Sequence, residues 1–254
     1  MKTIVVIPAR YKSSRFPGKP LINLLGKPMI QWVAELSAKA VGSENVYIAT
    51  DDSQIEAAVK VMGYQVVMTS ENCLTGTDRL SEVAQKIKAD IYINVQGDEP
   101  LVSPEDIIKV IAAKKSYPND VINGYAVIGK EEDPSSVNIP KVIFTEDKRM
   151  VYMSRQSLPG FKEQKNAPSK LYKQVCIYAF NRKELLSYGL YGKKSLLEQA
   201  EDIEILRFLE WCQPIRMVQT RPGSLAVDVP EDVRNVEYAL SGFLEDPHIK
   251  VDVI

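Results

Sequence analysis

The sequence predicts an α/β fold of three layers, a mixed but mainly parallel sheet covered by helices. Short β-branched runs alternate with segments of helical period from Thr3 to Lys114. The connections between them are short, as the crossover units of a parallel sheet require. A chain of 254 residues also has the length of one large α/β domain and buries a full core without cross-links.

In order, Thr3–Ile7 reads as a buried strand and Pro28–Ala40 as a helix with proline at its start. Asn45–Ala49 is a strand and Asp52–Val61 a helix, with Thr50, Asp51 and Asp52 as capping candidates. Gln65–Met68 is a strand, Asp78–Lys88 a helix and Asp90–Val95 a strand. Ser103-Pro104-Glu105 opens a helix to about Lys114. The second half is less regular. Val121–Ile128 and Lys141–Thr145 read as strands, and Arg149–Met153 pairs back through the E-D-K turn. Leu158–Lys170 is a Pro- and Gly-rich loop, and Leu171–Phe180 is a strand. Leu196–Trp211 has the period of one long helix, Ile215–Gln219 is a strand, and Glu231–Leu244 closes the chain as a helix. The expected organisation is one domain, 1–254, with a hairpin-bearing insertion around 125–185.

Composition removes several function classes. Lys+Arg is 32 against Asp+Glu 33, so the basic excess of a general nucleic-acid or membrane-surface binder is missing. The only histidine is His248, in the D-P-H-I-K tail. Histidine-dependent hydrolysis, Cys-His proteolysis and multi-histidine metal sites therefore lose their central group. Cys73, Cys176 and Cys212 are scattered and form no C-x-x-C pair, which fits a reducing cytoplasm. The apolar run Thr3–Ala9 is followed at once by cations, so neither a targeting segment nor a membrane helix is expected.

The strongest motif is P-A-R-Y-K-S-S-R-F-P-G-K-P-L, residues 8–21, directly after the first strand. Ligands of open α/β sheets bind at such strand ends. Arg10, Lys12, Arg15 and Lys19 precede the first acidic residue of the chain, Glu35. Ser13, Ser14 and Gly18 let backbone N–H groups approach an anion. The segment reads as a polyphosphate cradle, with a solvated basic loop as the alternative. It is neither a Walker A loop nor a dinucleotide fingerprint.

The second motif, N-V-Q-G-D-E-P at 94–100, also follows a strand. A strand-end carboxylate, Asp98, facing a phosphate cradle is a natural Mg²⁺ ligand. Asp228 in L-A-V-D-V-P-E-D is a second candidate, although D-x-P-E-D equally reads as a helix start. Thr75, Gly76 and Thr77 precede a helix whose free N–H groups suit a base or phosphate, or are plain capping. Asp51 and Asp52 read as caps. Glu198, Glu201, Glu204 and Arg207 recur every third residue and would share one helix face, ordinarily a solvated one. Tyr172, Tyr178 and Trp211 read as packing residues.

Taken in order, these motifs resemble the 3-deoxy-manno-octulosonate (Kdo) cytidylyltransferases. The resemblance rests on V-V-I-P-A-R-Y-x-S-x-R-x-P-G-K-P-L, A-T-D-D, T-G-T-D-R-L, N-V-Q-G-D-E-P, S-R-x-x-L-P, L-E-x-x-E-x-x-E-x-L-R and V-D-x-P-E-D, from about residue 3 to 240. It implies a nucleotide-diphospho-sugar transferase fold. It also implies transfer of CMP from CTP to an acidic sugar, Kdo first, for lipopolysaccharide or capsule synthesis. Arg10, Arg15 and Lys19 would contact the phosphates, with Pro8, Ala9 and Ser14 in the same loop. Thr75, Gly76, Thr77 and Gln96 would lie near cytosine or ribose. Lys19, Asp98 and Arg15 would be catalytic, and Asp98 and Asp228 would hold Mg²⁺. Arg155, Gln174, Tyr178, Glu198 and Glu201 would face the sugar. A homodimer is implied as well.

Three departures fall in the acceptor half. Gln174 and Cys176 stand where the family usually carries His and Gly. Gly160-Phe161-Lys162-Glu163-Gln164 replaces an Arg-rich stretch, and Gln199-Ala200 stands within L-E-x-x-E. The nucleotide half is nearly intact. The alternatives are another acid acceptor (an amino-modified octulosonate, a nonulosonic acid or a phosphorylated or phosphonate acid) and a non-catalytic nucleotide-binding module on the same fold.

Overall fold

A computed structural model of the chain describes residues 1–12, 16–221, 225–227 and 229–245. Strand β1 (Thr3–Ala9) has Ile4, Val5, Val6 and Ile7 all fully buried, as expected of a strand with helices on both faces. A 3-10 turn (Lys19–Leu21) and a small hairpin, β2 (Asn23–Leu24) and β3 (Lys27–Pro28), lead into α1 (Met29–Val41). Then follow β4 (Val46–Thr50), α2 (Ser53–Val61), β5 (Gln65–Met68), α3 (Gly76–Lys86), β6 (Ile91–Val95) and α4 (Pro104–Ser116). Asp52 caps α2, accepting from the amides of Gln54 and Ile55 at 2.8 and 3.1 Å. Ser103 caps α4. The second half adds β7 (Val121–Val127), β8 (Lys141–Phe144), β9 (Met150–Ser154) and β10 (Tyr172–Phe180). It closes with α5 (Arg182–Leu190), α6 (Leu196–Glu201), α7 (Leu206–Glu210), β11 (Ile215–Gln219) and α8 (Asp232–Glu245).

The main sheet runs β11-β7-β10-β6-β1-β4-β5. The pairs β1–β4, β1–β6, β4–β5 and β7–β11 are parallel, and β10 alone along this path runs against its neighbours β6 and β7. The hairpin β8–β9 hangs from β10 through Lys173 and Lys141. Alternate residues of β1 feed two cores. Ile4 and Val6 pack with Leu80, Tyr188 and Phe208 on one face, and Val5 and Ile7 with Val33, Ile55 and Val110 on the other. A third cluster joins Leu24, Met29 and Trp32 to Val227, Val236 and Leu240.

The structure corrects the sequence reading at two places. Leu196–Trp211 is not one helix. Asp202 takes a left-handed conformation, φ 50°, and the chain turns so that Ile203 and Ile205 enter the core before α7 begins. The helix α5 was also missed, because Gly189 sits inside it and its apolar pattern is thin. Its start was written in N-x-x-E, since Asn181 and Glu184 form a capping box. Gly189 has a packing cause. A Cβ there would lie 2.1 Å from the Ser81 hydroxyl oxygen, so only glycine lets α5 approach α3.

Candidate active site

The site forms where β1 and β6 end side by side. Pro8 and Ala9 close β1, while Gln96, Gly97 and Asp98 follow β6. Gly97 allows this meeting, since a Cβ would come 2.9 Å from the Pro8 carbonyl oxygen and 3.2 Å from Ile30 Cδ1. The segment from Phe16 meets these strand ends through Gly18, whose φ of 72° is open to glycine at little cost. The Gly18 amide donates to the Tyr11 carbonyl at 2.9 Å, and the 3-10 turn then aims Lys19 inward. Lys19 Nζ donates to Asp98 Oδ2 at 2.5 Å. The Asp98 carbonyl accepts from the Val227 amide at 3.0 Å, tying the third core cluster to this corner.

Between them lies a cleft of about 220 Å³. Of the residues expected at the nucleotide, Pro8, Ala9, Arg10, Lys19, Thr75, Gly76 and Gln96 line it, as does Asp98, expected at the metal. Thr75 caps α3, accepting from the Asp78 amide at 3.2 Å and donating its hydroxyl proton to Asp78 Oδ2 at 2.8 Å. Thr77 is placed behind the wall instead. It is buried, and its amide donates to Glu204 Oε2 at 3.0 Å. Burial raises the Glu204 carboxyl above its ordinary value, against the Thr77 bond that lowers it. Ser14, Arg15 and Asp228, like His248, lie outside the described residues.

Two polar side chains lining the cleft, Arg79 and Cys73, were not foreseen. Arg79 is nearly fully buried and donates to the Thr69 hydroxyl, and its ion-pair partner is Asp51 at 3.5 Å. Asp51 therefore serves Arg79, and capping falls to Asp52 alone. The signal for Arg79 was its place in T-G-T-D-R, on the first turn of a helix whose N-terminus faces the cleft. Cys73 donates its thiol proton to Glu82 Oε1 at 3.4 Å. Burial above all, with help from the Glu82 carboxylate and against the pull of Arg79, pushes that thiol up to about 12.

The five residues expected at the acceptor sit elsewhere, and none is among the described residues lining the cleft. Arg155 donates to the carbonyls of Glu201 (2.5 Å), Val137 (2.7 Å) and Asp202 (3.1 Å). The Glu201 carboxylate accepts from Ser154 Oγ (2.6 Å) and the Arg155 amide (2.9 Å). The two residues staple α6 to the end of β9. Gln174 is buried, donating to Tyr178 Oη at 3.0 Å and Asn123 Oδ1 at 3.2 Å. Tyr178 is core, as its periodicity indicates. Glu198 is fully buried against Arg207, Nε to Oε2 and Nη2 to Oε1 both at 2.7 Å. The supposed solvated stripe thus turns inward: Glu198 and Arg207 pair with each other, while Glu201 and Glu204 accept from hydroxyls and backbone amides.

Among the described residues no group of three or more His, Cys, Asp or Glu side chains is placed to hold a metal ion. The cleft instead combines one carboxylate, a lysine, two arginines and a helix N-terminus, which is equipment for a polyphosphate. A cytidylyltransferase family model matches residues 4–214. The chain belongs to that family. It is a nucleotidyltransferase that uses CTP.

Full-length relatives agree with this. The 8-amino-3,8-dideoxy-manno-octulosonate cytidylyltransferase of Shewanella oneidensis is 39% identical over 249 residues, covering 95% of this chain and 99% of that protein. The Shewanella baltica (strain OS195) protein of the same name is 38% identical over the same span. Among solved structures, CMP:2-keto-3-deoxy-manno-octonic acid synthetase complexed with CTP superposes with a TM-score of 0.88 at 37% identity, covering 95% and 99% of the two chains. The 4-diphosphocytidyl-2C-methyl-D-erythritol synthase of Anaerococcus prevotii, at 13% identity and TM-score 0.60, shares the fold. No helix among the described residues is long and apolar enough to cross a membrane.

Proposed function

We propose that this cytidylyltransferase transfers CMP from CTP to an eight-carbon 3-deoxy-2-keto sugar acid, and that the acceptor is 8-amino-3,8-dideoxy-manno-octulosonate. The observation that carries the acceptor is the full-length similarity to the Shewanella enzymes. It includes the half of the chain beyond the nucleotide cleft. Kdo itself is the second reading, favoured by the 37% identity to a CMP-Kdo synthetase of known structure.

In the reaction an acceptor hydroxyl attacks the α-phosphorus in line, an O–P bond forms, and pyrophosphate leaves with the electrons of the broken bond. Positioning and charge stabilisation dominate such transfers. Lys19 and Arg10 would offset the charge gathering on the leaving pyrophosphate. Thr75, Gly76 and Gln96 would hold the nucleoside. Asp98 suits Mg²⁺, because that ion takes one or two carboxylates and completes its shell with substrate phosphates and water. It would supply Lewis-acid polarisation of a phosphoryl oxygen.

The test is pyrophosphate release with CTP, Mg²⁺ and a panel holding Kdo, its 8-amino analogue and a nonulosonic acid, with UTP and ATP as controls. The highest kcat/KM is expected for CTP with the 8-amino acid. A tenfold or larger preference for Kdo, which corresponds to about 1.4 kcal/mol, would transfer the assignment to the second reading. Release with neither octulosonate would end both.

A further inference from the structure

The nucleotide wall of the cleft is held from behind by side chains of the acceptor half. Arg207 is fully buried on α7. Its guanidinium makes a two-bond fork with Glu198 and donates through Nη1 to Asp78 Oδ1 at 2.9 Å. The Tyr188 ring packs against it, 3.6 Å from the guanidinium carbon to the ring centroid. Tyr188 Oη donates to Glu198 Oε1 at 3.0 Å and lies 3.4 Å from Thr75 Oγ1. Asp78 in turn accepts the Thr75 hydroxyl proton. Two paths from Arg207, one through Asp78 and one through Glu198 and Tyr188, meet at Thr75, which both caps α3 and lines the cleft. Glu204, three residues before Arg207, holds the same first turn of α3 through the Thr77 amide.

We infer that Arg207 is a positioning residue for the nucleotide, fixing Thr75 and Gly76 through Asp78, Glu198 and Tyr188 without touching substrate. The inference rests on the reading that CTP occupies this cleft. Three features argue for positioning beyond mere stabilisation. The network is a planar fork, which fixes direction as well as distance. Its two carboxylates come from different elements, α6 and α3, so it sets their relative placement. Its last member contacts the cleft directly. A purely structural ion pair exists in the same molecule for comparison. Lys114 Nζ is bound by both Glu184 carboxylate oxygens at 2.7–2.8 Å and by the Asp120 carbonyl at 2.6 Å, joining α4 to α5. No part of it lines the cleft.

The experiment compares Arg207→Lys, Tyr188→Phe, Lys114→Met and Lys19→Ala. The readouts are KM for CTP, kcat and thermal midpoint. Arg207→Lys keeps the charge but loses the fork. Tyr188→Phe keeps the ring but loses the hydroxyl, so a folded protein is available even where the lysine variant is poorly behaved. Both should raise KM for CTP by roughly tenfold with kcat changed less than about threefold, the pattern of lost binding rather than lost chemistry. Lys114→Met should lower the thermal midpoint and leave KM for CTP at the wild-type value. A KM for CTP within twofold of wild type in both network variants overturns the inference. So does an equal rise of KM in Lys114→Met, which would mark a general effect of instability. Lys19→Ala separates the two levels, since an unchanged KM and kcat there would show instead that the cleft is not the CTP site.

Discussion

Lys19 Nζ lies 2.5 Å from Asp98 Oδ2 although 79 positions separate the residues. The contact joins the basic loop after β1 to the turn after β6, and both groups line one cleft. Under the proposed function Lys19→Ala removes the charge that offsets the leaving phosphates, and it should lower kcat/KM by roughly 10²–10³-fold, the scale of one lost stabilising donor. Asp98→Asn should raise the Mg²⁺ concentration needed for half-maximal pyrophosphate release. A variant with wild-type turnover at limiting Mg²⁺ would remove the metal from Asp98.

Gly97→Ala tests the closeness of the two strand ends. Its Cβ would meet the backbone oxygen of Pro8, which has no rotamer to give way. Gln96 and Asp98 must then shift together. We expect a loss of more than about tenfold in kcat/KM, since small misplacements at a reacting centre cost heavily. The protein should remain folded by circular dichroism. Unchanged kinetics would show that the strand ends tolerate separation.

Glu201 gives a pH dependence of stability. Burial alone would push its carboxyl up, but the Arg155 amide and the hydroxyls of Ser154 and Tyr152 hold it below the ordinary 4.5. The folded protein thus takes up this proton less readily than the unfolded chain. The stabilisation is complete above the unfolded value and disappears as pH falls through the lower folded one. Glu201→Gln should melt below wild type near neutrality, and the two melting curves should converge on acidification. Parallel curves across the acidic range would refute the assignment.

Cys73 should be slow to alkylate. With its thiol pushed up to about 12, little thiolate exists near neutrality, and thiolate is the reactive form. Exposed Cys212 should label first with iodoacetamide, read out by peptide mass spectrometry. Glu82→Gln removes a negative charge beside the thiol and should speed labelling of Cys73. No acceleration would leave burial as the sole cause.

The nucleotide half was legible because its chemistry follows strand ends. A buried β-branched run announces β1 or β6, and the polar residues immediately after it have nowhere to go but the carboxyl edge of the sheet. That rule alone places Arg10, Lys19, Gln96 and Asp98 together. The acceptor half resists such reading, because its geometry depends on tertiary closure. The three-residue spacing from Glu198 to Arg207 looks like a helix face. The left-handed Asp202 breaks it, and Glu198 and Arg207 turn inward to pair with each other. Nothing local distinguishes a buried Glu–Arg pair from an exposed one, since the partner Asp78 is 129 positions away. Arg79 was overlooked for a similar reason, its partners Asp51 and Thr69 lying on loops after other strands.

The place of β10 in the sheet bears on how the chain is made. Among the described residues strand β7 has as its sheet neighbours only β10 and β11, and both are synthesised after it. The first four parallel strands are able to assemble as they leave the ribosome, whereas β7 waits as a bare edge until Phe180 has emerged. Bare edges invite pairing with other chains. On ribosomes stalled at successive lengths, residues 121–127 should gain resistance to protease only once β10 is clear of the exit tunnel. Earlier protection would mean that β7 finds a temporary partner during synthesis.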